Sequence, residues 1–126
     1  MTKKILTFQD LLPQTSMMEI IHPAQGPMGI HLELVGQDSA PFRKATKRLA
    51  QQYLKDKGET SNIEEYEKLQ VDLLAACIVG WDCPEVFGEY SPKRATEIML
   101  EPGLNWLSAQ VEAYIKDRAN FFRKSS

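Results

Sequence analysis

The sequence predicts a mainly α domain, a small body of about four helices preceded by a short N-terminal β-hairpin. Three observations lead there. Capping side chains or prolines stand at Ser39, Asn62, Ser91 and Pro102, and each is followed by apolar residues at steps of three and four. Between Gly29 and Gly36, Ile30, Leu32 and Leu34 alternate with His31 and Glu33, the period of a strand with one wet face. The 126 residues, 43% of them hydrophobic, suit one domain with its own core better than two.

Residues 1–15 place Ile5, Phe8, Leu11 and Leu12 at near-helical spacing before Pro13, enough for a single turn, and read as a loosely held arm. The hairpin covers 17–36. Met18 and Ile20 flank Glu19, the loop from His22 to Pro27 reverses the chain, and the second strand follows. A lone hairpin is marginal in water, so its apolar face must rest on the helical body, residues 38–120. In that body Pro41 follows Ser39 in a first turn, where its missing N–H costs nothing, and the helix runs to Gly58 with Phe42, Ala45, Leu49 and Tyr53 inward. Asn62 opens a second helix whose stripe is Tyr66, Leu69, Leu73, Ala76 and Cys77. This helix continues to Gly80 and Trp81, and its apolar half from Leu73 onward is expected at the domain centre. Trp81–Tyr90, holding Pro84 and Gly88, reads as a loop. Ser91-Pro92 restarts a short helix with Ala95, Ile98 and Met99 inward, and Pro102-Gly103 precedes a last helix striped by Leu104, Leu107 and Val111. Residues 121–126 read as a frayed tail.

Fifteen Lys and Arg against seventeen Asp and Glu give a net charge of -2, which speaks against a surface built to track nucleic acid or anionic lipid. The distribution is uneven. Residues 43–57 carry six basic and one acidic side chain, residues 59–72 five acidic and one basic, so the two helices are expected to pair charges as antiparallel neighbours. Arg43, Lys44, Lys47 and Arg48 form a basic face on the first of them. The longest apolar stretch, Leu73–Trp81, falls short of the roughly 20 residues a bilayer span needs. No apolar signal region follows Lys3 and Lys4, and Cys77 and Cys83 read as reduced thiols.

Catalytic chemistry is sparse. His22 reads as a turn residue and His31 as an outward strand residue beside Glu33. Neither cysteine has a histidine close in sequence, and no phosphate loop, nucleophile elbow or zinc spacing occurs. No catalytic, metal or cofactor site is expected, and the chain is read as a non-enzyme. The aromatic residues Trp81, Phe87, Tyr90 and Trp106 read as core, with a protein-binding rim as the alternative.

The succession His22-Pro23 with a Gly-rich turn, Ile30 through Ser39, Leu74-Ala75-Ala76-Cys77-Ile78-Val79-Gly80-Trp81, Tyr90-Ser91-Pro92, and Trp106-Leu107 through Asp117-Arg118-Ala119-Asn120-Phe121-Phe122 resembles the tail assembly chaperones of long-tailed, siphovirus-type bacteriophages. It spans residues 20–122. The resemblance implies a small protein of the host cytoplasm, absent from the mature virion, that binds the tape measure protein and tail tube protein during tail assembly. It also implies a minor, longer product made by ribosomal frameshifting. A tape measure protein is long, helical and apolar-striped, so a small partner coating it would hide surface that otherwise aggregates. Self-association is expected too, since coating a filament calls for copies side by side. The residues chosen for these contacts are Val86, Phe87 and Tyr90 in the loop and Phe121 and Phe122 at the tail. The alternative reading is a nucleic-acid-binding or DNA-packaging accessory that uses the 43–48 face.

Overall fold

The computed structural model describes residues 7–55 and 63–122. Strand β1 (Ser16–His22) pairs antiparallel with β2 (Gly26–Leu34), Met17 opposite Glu33, Met18 opposite Leu32 and Glu19 opposite His31. His22 closes the turn, its Nδ1 accepting the amides of Ala24 at 3.1 Å and Gln25 at 3.2 Å. Gly26 takes the left-handed φ of 76° needed to start the return strand. Alternation then places Met18, Ile20, Leu32 and Leu34 on the buried face.

A third strand, β3 (Ile78–Trp81), pairs antiparallel with β2, making a sheet of order β1-β2-β3. The fold is therefore α+β, and the expectation of a mainly α domain with only a hairpin is corrected. The preceding helix stops at Ala76, five residues before the expected end at Trp81. A short apolar run such as Ile78-Val79-Gly80-Trp81 has no period that separates a buried strand from a buried helix. Its β-branched pair favours the strand, and the open edge of β2 supplies the partner. Val35 donates to Cys77 O at 2.9 Å and Asp82 to His31 O at 3.2 Å, one bond at each end of the new ladder.

The helices are α1 (Ala40–Lys55), α2 (Ile63–Ala76), α3 (Pro84–Phe87), α4 (Pro92–Leu100) and α5 (Asn105–Lys116), five among the described residues where about four were expected. Ser39 caps α1, its Oγ accepting the Phe42 amide at 3.3 Å, and Ser91 caps α4 through the Arg94 amide at 3.0 Å. The expected cap at Asn62 lies outside the described residues, as do residues 1–6 of the arm and 123–126 of the tail.

The core sits between the sheet and the last two helices. Ala95, Ile98 and Met99 of α4 and Leu107, Val111 and Ile115 of α5 join Met18, Ile20, Leu32, Leu34 and Ile78. The apolar run from Leu73 onward does enter this core, through Ala75, Cys77 and Ile78 with Leu74 and Trp81 packed against it, but Leu73 itself is only half-buried. Helix α5 runs beside β1 in the opposite direction, Trp106 edge-on to His22, Gln110 accepting the Ile21 amide, and Tyr114 bonded to Ser16. This protects an edge that would otherwise offer free amides.

The start of the tail is also corrected. A 3₁₀ turn at Arg118–Phe121 brings Phe121 into the core, 3% exposed, edge-on to Tyr114 with ring centroids 5.6 Å apart. Gln14 donates to Phe121 O at 2.7 Å, so the end of the arm is tied to the end of the body.

Candidate protein-binding surface

Helix α1 lies at the periphery. It packs on α2, and of its sixteen residues only Ala45 is buried. Phe42 and Leu49 are half-buried, whereas Tyr53 is 53% and Leu54 72% exposed. The expected inward stripe therefore turns outward over its last turn. Two depressions follow one shoulder of the helix. The first, of about 640 Å³, is lined by Gln37, Phe42, Arg43, Lys44, Thr46, Lys47 and Ala50. The second, of about 370 Å³, is lined by Thr46, Leu49, Ala50, Tyr53 and Leu54. They share Thr46 and Ala50 and so adjoin as one shallow, open groove along the helix.

Cations border it. Arg43, Lys44, Lys47 and Arg48 are all exposed, as the sequence predicts, and none of their side chains has an ion pair or hydrogen bond among the described residues. The expected pairing of this face with the acidic first half of the second helix falls largely on Glu59, Glu64 and Glu65, whose side chains lie outside the described residues. Among the described residues Arg94 pairs with Glu97, Lys116 with Glu112, and Arg118 with Asp38 at 2.9 Å.

The residues chosen from the sequence as contacts are placed differently. Phe87 is 7% exposed on α3, and its carbonyl accepts Arg94 Nε at 2.7 Å. Trp81 stands edge-on to both Phe87 and Tyr90, its indole donating to Gly88 O at 2.8 Å, and the Tyr90 hydroxyl donates to Ile78 O at 2.7 Å. The aromatic loop is thus a packed corner of the core. Burial removes Phe87 and Phe121 as contact residues, while Tyr90 and Phe122 are half-buried and Val86 remains 55% exposed. The structure packs Phe87 and Tyr90 on Trp81, beside Val86 in sequence, and places Phe121 against Gly36.

Asp82, which the sequence marks only as the polar end of the Leu73–Trp81 stretch, accepts the His31 amide at 2.7 Å through Oδ1 and contacts His31 Nδ1 at 2.8 Å through Oδ2. The amide bond first, and the ring bond after it, hold the Asp82 carboxyl below its ordinary range. The cysteines are buried. Desolvation pushes the Cys77 thiol up to about 12, and desolvation together with the charges of Asp82 and Glu85 pushes Cys83 up to about 11. Among the described residues no three His, Cys, Asp or Glu side chains gather as a metal set. No helix among them is long and apolar enough to cross a membrane.

Sequence reasoning also missed Leu54. Its neighbour Tyr53 was assigned inward, yet two adjacent apolar residues cannot both lie on one narrow stripe, and that pair was the available signal. Fold and surface together define an α+β domain with an exposed, basic-bordered apolar groove. Compared with known proteins, the chain matches no protein-family model, no curated protein and no solved structure.

Proposed function

We propose that this protein is a tail assembly chaperone of a long-tailed bacteriophage. In this reading it binds the tape measure protein in the host cytoplasm, keeps it from aggregating, helps recruit tail tube protein, acts in several copies and is left out of the virion. It is a binding protein and not an enzyme. The supporting observation is the α1 groove, where Tyr53 and Leu54 are each more than half exposed. Contiguous apolar surface of this kind is costly to leave in water and usually marks a contact site. A long helical partner with apolar stripes supplies the complementary ridge.

Co-expression with the tape measure gene of the same phage, followed by a pulldown through a tag on this chain, tests the reading. Retention of the tape measure protein is expected; its absence from the eluate, with both proteins expressed, contradicts it. A second reading, a nucleic-acid accessory, is favoured by the four cations on α1 that have no partner among the described residues. Retention on duplex DNA at physiological salt, lost when Arg43 and Lys47 are changed to Glu, is its signature.

A further inference from the structure

We propose that the α1 groove docks an amphipathic helix whose flank is acidic, which deepens the reading of this face as the partner-binding one and rests on it. The shallow groove runs from Phe42 to Leu54 along the shoulder of α1, with the exposed, short side chains of Thr46 and Ala50 common to both halves. Small residues at a spacing of four let another helix approach closely. Leu54 and Tyr53 at the far end offer apolar area to its stripe. Arg43 and Lys47, one turn apart on the outer border, carry charge that nothing within the described chain neutralises. An occupant with Glu or Asp along the facing flank satisfies both halves of the surface, apolar contact for affinity and opposite charge for register and orientation.

Other occupants fit less well. Phosphate backbones need cations but no apolar contact. A lipid surface calls for a broad apolar face, whereas only Tyr53 and Leu54 of α1 are strongly exposed large apolar residues. A second copy could present the acidic surface between α2 and α5, but that surface is itself a depression and offers no ridge to fill a groove.

The test is a titration of the full chain with two synthetic helical peptides of about 20 residues, long enough to hold a helix. Both carry Leu at every third and fourth position; one has Glu and the other Lys on the flanking positions. The acidic peptide is expected to bind on the order of tenfold tighter, with affinity falling as salt rises. The double change Arg43→Glu with Lys47→Glu should abolish that preference, and Leu54→Ser should weaken both peptides. Because the salt series and the peptide comparison use the unaltered protein, a variant that fails to fold leaves the test intact. Equal binding of the two peptides, or an unchanged preference in the folded double variant, overturns the proposal. So does tighter binding to duplex DNA or anionic vesicles, or a dimer dispersed by Leu54→Ser. Tape measure capture without acidic-peptide preference sinks this inference alone; peptide preference without capture sinks the chaperone reading alone.

Discussion

Gly36 meets the ring of Phe121 so closely that a Cβ built on it would lie 2.6 Å from Phe121 Cδ2. Phe121 is buried and cannot swing away, so Gly36→Ala should cost about 1–3 kcal/mol through overpacking, read as a lower denaturant midpoint with an unchanged slope. The same contact explains why the sequence misled at the tail. Consecutive phenylalanines after a helix stripe look frayed until a long-range gap at residue 36 gives one of them a place. Leu107 is fully buried between sheet and helices, so Leu107→Ala should cost about 2–5 kcal/mol. Leu73, expected from the sequence to occupy the centre, is half-buried, and Leu73→Ala should cost clearly less in the same urea titration. Cys77 and Cys83 should resist a thiol reagent at pH 8 in the native protein and react once it is unfolded, because burial keeps both protonated. Fast native labelling of either would contradict their placement.

Strand β3 shows where local pattern stops carrying information. The capped helices α1 and α4, the α5 stripe and the hairpin were legible, since caps and periodicity act within a few residues. The path of 78–81 depends on an edge offered by residues 32–34, far away in sequence, and local spacing alone does not reveal it. Asp82 closes this ladder by bonding the amide and ring of His31. A carboxyl whose folded pKa is depressed stabilises the fold above its unfolded pKa, and that contribution is lost as pH falls through the folded value. Melting temperature should therefore drop on acidification from pH 5 toward pH 2, and Asp82→Asn should flatten that limb. An unchanged acid limb in the variant would assign the loss to other carboxyls.

At the scale of the molecule, the sheet with α4 and α5 forms the stable body, and α1 is held mainly through α2, with one buried side chain of its own. The basic face of α1 was legible because charge runs are local. The apolar groove beside it was not, because exposure is decided by what packs on a helix and the sequence assigned Tyr53 to the core. The aromatic loop is the complementary case: Phe87, which the sequence reads as core and also offers as a contact residue, is enclosed by Trp81 and Arg94. The proposed partner surface therefore lies on α1, and Val86 is the exposed apolar residue left among the contacts expected from the sequence. The most direct measure of this account is the fraction of tape measure protein left in the supernatant after co-expression with this chain or with its Leu54→Ser variant. The wild type should keep most of it in the supernatant, and the variant, folded and equally abundant, should let a clearly larger share pellet. Tape measure protein that pellets to the same extent with and without the wild-type chain would contradict the account.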